Sequence, residues 1–202
     1  MHNSKGRFLE NITQATELGT LYDYLVANVA IPNAFDDLLR SQLVYAVSAF
    51  DKLIHDLVRI GMVQVFVGSR PATEKYLSEG IQLRHLALLS PASIPPPAVA
   101  FEQIVREKLS VLSFQDPKKL ADGLSFIWPE TQKWQVLAGA LGRSDEDART
   151  TLRLIATRRN AIVHEADLDP VSHNKQAITK QEAEDATSFL KCLGTEIYDR
   201  VT

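Results

Sequence analysis

The chain has 202 residues, with 22 lysines and arginines, 25 aspartates and glutamates, and a formal net charge of −3. Hydrophobic residues make up 45% and charged residues 23% of it, a globular composition that excludes wholesale disorder and collagen-like or coiled-coil-only structures. The length predicts a single domain, residues 1–202. A lone cysteine, Cys192, excludes an internal disulfide and a cysteine-type zinc site. Because no apolar stretch has the length of a signal or a membrane span, we expect a cytoplasmic protein with no membrane partner.

The negative net charge argues against a protein that coats nucleic acid through a global basic field. Charge is nevertheless uneven, since residues 165–202 carry eight acids against four bases, whereas residues 148–160 contain four arginines and no acid. Those arginines are Arg149, Arg153, Arg158 and Arg159. The simplest interpretation of this asymmetry is a helix with solvated arginines beside an acidic surface helix.

Apolar residues recur at steps of three and four in residues 6–29, which predicts a first helix. Pro32 interrupts the pattern, and Asn33 is suited to cap a second helix. That second helix is long and apolar enough to form the spine of the fold. We interpret the valine-rich run 62–67 as its end rather than as a strand, since no partner strand is evident.

Breaks at residues 68–71 and 90–97 enclose a helical elaboration, the second break containing Pro95, Pro96 and Pro97. An amphipathic helix is predicted over 99–114, with shorter helices over 117–128 and 130–141. These pieces are expected to act as lids or braces, with Trp128 and Trp134 bracing the core. Residues 68–142 are therefore predicted to be a helical insertion.

Two capping-box patterns introduce the last two helices. Ser144 and Asp147 precede a helix that is predicted to stop near His164, and Thr179 and Glu182 precede the terminal helix. Cys192 falls within that terminal helix and is expected to be a buried thiol. The predicted fold class is an all-α helical bundle with a helical insertion between its second helix and its last two.

A short polar pattern lies at the end of the penultimate predicted helix, where Arg159, Asn160 and His164 follow an R-N-x-x-x-H spacing. This pattern resembles the motif of the HEPN superfamily, the higher eukaryote and prokaryote nucleotide-binding domains. Residues 45–57 resemble the long helix of the RiboL-PSP type of HEPN domain. The resemblance covers about residues 33–67 and 144–200, and it implies a HEPN-like bundle built around a long antiparallel helix pair.

The resemblance implies a metal-independent endoribonuclease that acts on RNA as a homodimer. It also implies a toxin or phage-defence role, with an antitoxin or a restriction or defence protein as a further partner. The implied catalytic residues are Arg159, Asn160 and His164, which occupy the motif positions.

Elementary chemistry supports the same three residues. The pKa of a free histidine side chain is about 6.5, so His164 could exchange a proton with a ribose 2′-OH or a 5′-oxygen leaving group. Arg159 could donate two N–H groups to phosphate oxygens as charge develops, and the amide of Asn160 could orient the imidazole or bind phosphate. Arg159 and His164 lie about 140° apart on an ideal helix, so one copy is expected to form an open site that a two-fold dimer completes.

Alternatives remain for each of these residues. Arg159 and His164 could merely face the negative end of a helix dipole. Asp51, His55 and Arg59 form a polar stripe that either is an ion-paired helix face or faces the motif, with Asp51 orienting Arg159 or His164 and His55 contributing to the cleft.

Arg158, beside the motif, is a further supporting candidate. The whole chain could also be a non-catalytic HEPN dimerisation or nucleotide-binding adaptor, or a helical interaction domain in which the motif is a coincidence. The histidines lack ligand-type spacing, so neither a metal site nor a cofactor is predicted.

Overall fold

A computed structural model describes residues 1–29, 35–91 and 94–202 of the chain. Within these residues the backbone forms nine α-helices and one 3₁₀ turn but no β-strand, apart from an isolated bridge between Leu168 and Lys175. The predicted all-α class is therefore confirmed. The helices are α1 (His2–Asn28), α2 (Asp36–Phe66), α3 (Glu74–Leu77), α4 (Leu83–Leu86), α5 (Pro97–Leu109), α6 (Pro117–Leu124), α7 (Lys133–Ala140), α8 (Asp145–His164) and α9 (Lys180–Val201), and the 3₁₀ turn is Ala87–Leu89.

Helix α2 is the spine of the bundle, as its continuous apolar pattern predicts. It packs most extensively against α1 and α9, and it also contacts α5, α8 and α6. The helix continues to Phe66, so the valine-rich run 62–67 is helical as expected. Pro32 and Asn33 lie outside the described residues, and α2 begins at Asp36.

Three long helices meet at Gly194 of α9. A Cβ atom at this position would lie 2.6 Å from the ring of Phe8 on α1 and 3.1 Å from Leu53 on α2. Phe8 and Leu53 are each 2% exposed, so neither side chain has room to move away. The absent side chain therefore allows α9 to approach the α1–α2 pair closely.

The segment 68–142 packs into the same core as the long helices. Its buried side chains include Phe101, Phe114, Leu124 and Trp134, all of which belong to the main hydrophobic cluster. The bracing role expected of Trp134 is confirmed, because the ring is buried and its Nε1–H donates to the Pro117 carbonyl at 3.0 Å.

Helix α5 is shorter than its amphipathic pattern predicts. It ends at Leu109 rather than near residue 114, although Phe114 is still buried. Residues 110–116 consequently form a loop, and this loop becomes one wall of the candidate site.

The two predicted helix caps that fall within the described residues, at Ser144 and Thr179, are present. The Ser144 side chain accepts a hydrogen bond from the Asp147 N–H at the start of α8, and Thr179 and Glu182 form a reciprocal capping box at the start of α9. Because the Thr179 N–H donates to the Glu182 carboxylate, the pKa of Glu182 is lowered. Helix α8 ends at His164, as predicted.

The expectation for Cys192 is wrong, since this thiol is exposed. Leu190, Leu193 and Ile197 occupy the core-facing side of α9, and each is fully buried. Cys192 lies one position, about 100° around the helix, from Leu193 and so faces outward. Among the helices that the structure describes, none has both the length and the hydropathy for a bilayer crossing.

We expect Gly194→Ala to lower the free energy of unfolding by about 1–3 kcal/mol, because the added methyl group overpacks the contact with the rigid Phe8 ring. The matched control is Gly139→Ala in α7, where an added Cβ meets no atom within 4 Å. That change should be neutral or stabilising by up to about 1 kcal/mol through helix propensity. Urea unfolding of the two variants measures the difference, and equal stabilities would contradict the close packing at Gly194.

Candidate active site

The three motif side chains line one cleft of about 450 Å³ at the end of α8. Helix α8 forms one side of the cleft, and α2, the loop 110–116 and the start of α6 form the other. The lining residues are Asp51, Ser113, Gln115, Asp116, Lys119, Arg153, Ala156, Thr157, Arg159, Asn160 and His164. Although Arg159 and His164 lie far apart around the helix, the cleft is wide enough for both to border it.

Asp51 holds the loop wall of the cleft against α2. One carboxylate oxygen accepts the Phe114 N–H at 2.6 Å, and the other lies 3.6 Å from Nε2 of His55. The His55 ring in turn packs edge-on against the Phe114 ring, with centroids 4.7 Å apart. Asp51 thus borders the cleft as expected, whereas His55 supports the wall from behind and is absent from the cleft lining.

Asp51 holds a different group from the one expected from the sequence. Among the described residues its hydrogen bond goes to the loop at Phe114 rather than to Arg159 or His164. Asp51 is therefore placed to position the wall that faces the motif.

Arg59, the third member of the polar stripe, belongs to a separate ion-paired cluster. Its guanidinium contacts Asp56 at 3.1 Å and Glu102 at 2.5 Å. Burial raises the pKa of Asp56, but hydrogen bonds from Lys52 and Arg59 outweigh it and hold that pKa below its ordinary value. The stripe is thus divided, with Asp51 at the cleft and Arg59 joining α2 to α5.

The cleft contains cations that no carboxylate neutralises. Among the described residues, Lys119, Arg153 and Arg159 form no ion pair, although most lysines and arginines of the chain do. Arg159 donates from Nη1 to the Asn160 side-chain oxygen at 3.1 Å, while its buried Nε has no hydrogen-bond partner in the described part of the chain. Asp116 accepts from the N–H groups of Lys118 and Lys119. Among the described residues, three cations line the cleft against the two carboxylates of Asp51 and Asp116, so the cleft is suited to an anion.

His164 is the last residue of α8 and is exposed at the mouth of the cleft. Asn160, one turn earlier, is also exposed. An imidazole, an amide and a guanidinium therefore reach the same space without being buried by the bundle. A ligand in the cleft could contact all three.

Arg158 points into a different network and does not line the cleft. Its guanidinium donates to the Asp167 carboxylate at 2.9 Å and to the carbonyls of Gln176 and Ala177. Arg40 of α2 donates to the same carboxylate oxygen at 2.7 Å. Arg158 therefore has a structural role, since it fixes the loop 165–179 to α8.

Asp167 is the central residue of that network, and sequence reasoning passed over it. Its side chain is 1% exposed, and its backbone has a φ of 59°, directly after Ala166 at 53°. The Asp167 N–H donates to the Ala161 carbonyl at 2.9 Å, which turns the chain sharply after His164. A detectable signal was Arg40, a cation within the long apolar pattern of α2, because a charge that the helix buries needs a partner.

Within the residues that the structure describes, histidine, cysteine, aspartate and glutamate form no group of three or more that could hold a metal ion.

Comparison with known families identifies the class of this domain. The family model described as RiboL-PSP-HEPN matches residues 10–202, a span that includes the segment 68–142. The chain therefore belongs to the RiboL-PSP HEPN family, and its helical bundle is a HEPN domain. HEPN domains are often ribonucleases or adaptors, and they commonly bind RNA and dimerise. Comparisons with curated proteins and with solved structures give no significant match.

We expect Asp167→Asn to lower the free energy of unfolding by about 3–5 kcal/mol, because it removes the buried charge that the buried Arg40 and the half-buried Arg158 share, and leaves Arg40 paired only with the exposed Asp37. Asparagine tolerates a positive φ as well as aspartate does, so the substitution tests the charge and not the backbone. Chemical denaturation provides the measurement.

The matched control is Asp199→Asn, which removes a half-exposed carboxylate paired with Lys5 on the surface. Such a pair contributes little, and the control should unfold close to the wild type. If the two substitutions had equal effects, the buried pair would not be the anchor of the loop.

Proposed function

We propose that this protein is a metal-independent endoribonuclease that cleaves RNA by 2′-OH transesterification. The observation that carries the proposal is the convergence of Arg159, Asn160 and His164 on one cleft whose lysine and arginines form no ion pair with any described residue. Phosphodiester cleavage without a metal needs a proton acceptor, a proton donor and a fixed positive charge. The cleft contains a histidine, which can accept or donate a proton, and arginines, which carry the fixed charge.

In the first step the imidazole of His164 takes the proton of a ribose 2′-OH, and the 2′-oxygen attacks the adjacent phosphorus. The bond from phosphorus to the 5′-oxygen then breaks, and a protonated imidazole gives its proton to that oxygen. The products are a 2′,3′-cyclic phosphate and a 5′-hydroxyl. Water is not consumed, and the base and the acid end with exchanged protonation states.

Arg159 supplies the fixed charge in this mechanism. A guanidinium stays protonated and can donate two N–H groups to the equatorial phosphate oxygens, where negative charge develops. Its contact with Asn160 holds one Nη atom in place, so the group is partly oriented before substrate arrives. Such preorganisation is a large contributor to transition-state stabilisation.

Two copies of the chain are proposed to complete the site as a two-fold dimer. One chain contributes a single histidine to the cleft, whereas the reaction uses a base and an acid. An isologous contact would place two copies of His164 and Arg159 in one composite cleft. The exposed position of His164 at the end of α8 supports this arrangement.

The biological setting follows from the family resemblance. We propose a cytoplasmic effector of a toxin–antitoxin or phage-defence system, held in check or recruited by an antitoxin or a restriction partner. The segment 68–142 is proposed to be an insertion of this lineage that supplies the second wall of the cleft.

His164→Ala and Arg159→Ala are each expected to reduce RNA cleavage by at least about 100-fold, since each removes a group that acts on the transition state. Both side chains are at least partly exposed, so far-UV circular dichroism should be unchanged. The assay follows cleavage of labelled RNA and identifies the product ends. Addition of a chelator should leave the rate unchanged.

Matched controls are His173→Asn and Arg7→Ala, which alter exposed residues outside the cleft. Asparagine suits the positive φ of 56° at position 173. Full activity of the two motif variants would exclude the mechanism. Lack of cleavage by the wild type, together with dimerisation or nucleotide binding, would favour the non-catalytic HEPN adaptor.

A mixing experiment tests the composite site. Wild-type and His164→Ala chains are co-expressed in equal amounts, so that about a quarter of the dimers contain two intact histidines. If both copies of His164 are needed, specific activity should fall to about a quarter of the wild-type value, compared with about half if each chain acts alone. The dimer itself is checked by analytical ultracentrifugation.

A further inference from the structure

A second cavity adjoins the candidate active site along the groove between α6 and α8. It has a volume of about 390 Å³, within the size range of pockets that hold small ligands. Asp116 and Arg153 line both cavities, so the two are adjacent, and together they are called the groove below. The additional side chains include Lys118, Arg149 and Trp134.

The charge of this groove is unusual for the chain. Within the described residues, Lys118, Lys119, Arg153 and Arg159 form no ion pair, and all four line one or both cavities. Arg153 is held by a hydrogen bond to the Thr150 hydroxyl at 3.2 Å, which leaves its charge uncompensated. Cations clustered along a groove raise the local concentration of anionic ligands.

The acids near the groove are already engaged. Asp116 accepts two backbone N–H groups at 2.9 and 3.0 Å, and Asp51 accepts the Phe114 N–H at 2.6 Å. Asp145 pairs with Arg149 at 2.6 Å. Hydrogen bonds to backbone N–H groups leave these carboxylates charged. Among the described residues, however, only Asp51 and Asp116 line the two cavities, against five cations, so the groove keeps a net positive charge. The five cations are Lys118, Lys119, Arg149, Arg153 and Arg159.

The floor of the second cavity is rigid. Trp134 is 4% exposed, and its indole N–H donates to the Pro117 carbonyl. The Arg149 guanidinium lies 6.0 Å from the centre of the Trp134 ring and is also tied to Asp145. A planar guanidinium over an aromatic ring offers a surface on which a base could stack.

We propose that this groove is a subsite for the nucleotides that flank the scissile phosphate of a single-stranded RNA. The inference rests on the proposed ribonuclease function, and it adds where the strand runs, from His164 past Arg153 to Lys118. A cationic groove with a stacking surface suits a flexible single strand, whose backbone can lie along the cations and whose unstacked bases can reach the stacking surface. An A-form duplex presents only a wide, shallow minor groove, and its bases stay stacked inside the helix. Lys118 and Arg153 are binding residues in this proposal.

The test measures binding of wild-type protein and of the Lys118→Gln/Arg153→Gln double variant to 2′-O-methyl RNA, which has no 2′-OH to attack. The probes are a dinucleotide and progressively longer oligonucleotides. Wild-type affinity should rise with length and then level off. The double variant should lose about 25-fold in affinity for the longer probes at about 0.1 M salt, since each phosphate contact contributes about fivefold.

The slope of log affinity against log salt should also become shallower by about 1.4, because each single-strand phosphate contact contributes about 0.7. The matched control is Arg7→Gln/Lys191→Gln, which removes the same two charge types from exposed positions that line neither cavity. This control should keep the wild-type affinity and slope.

The outcomes separate this inference from the proposed function. If Arg159 and His164 are needed for cleavage but the Lys118/Arg153 variant binds like the wild type, the subsite is overturned while the ribonuclease stands. If the wild type binds longer RNA through Lys118 and Arg153 but cleaves none, the groove stands and the catalytic proposal falls. ATP binding as tight as that of a long oligonucleotide, or no RNA binding at all, overturns the subsite.

Discussion

A buried carboxylate shared by two arginines determines where the candidate active site lies. Asp167 is 1% exposed and accepts hydrogen bonds from Arg40 of α2 and Arg158 of α8. Two helices and the loop 165–179 therefore meet at one ion cluster, directly behind the turn that follows His164. Since an isolated buried charge is strongly unfavourable, the three side chains stabilise only one arrangement of these elements. The end of α8, and with it the motif, is thereby held against the spine.

The opposite wall depends on a second polar contact. Asp51 on α2 binds the Phe114 N–H, and the Phe114 ring is buried against His55 and the core. The segment between α5 and α6 is in this way held close to α8, and Ser113, Gln115 and Lys119 border the cleft from that side. The cleft is thus shaped jointly by the motif helix and by a segment whose own sequence carries no recognisable motif.

The overall charge of −3 and a proposed anionic ligand are compatible because the charges are not evenly paired. Most cations of the chain are neutralised by neighbouring carboxylates, as for Arg59 with Asp56 and Glu102. The unpaired ones include Lys119, Arg153 and Arg159, which share one groove. Electrostatic attraction over short range depends on this local arrangement rather than on the net charge, because salt screens the more distant acids within about 10 Å.

The sequence by itself determined the long helices, the two caps and the end of α8 at His164, since these follow from spacing and contacts within a few residues. The convergence of Arg159 and His164 on one cleft depends on the wall formed by the loop 110–116. Only the tertiary structure decided the role of Arg158, the outward position of Cys192, the early end of α5 and the clamp between Arg40 and Asp167. The physical reason is the separation along the chain between the residues that interact. A cap or a helical period is complete within one or two turns, whereas Arg40 meets a partner 127 residues away, and that contact exists only after the bundle has packed.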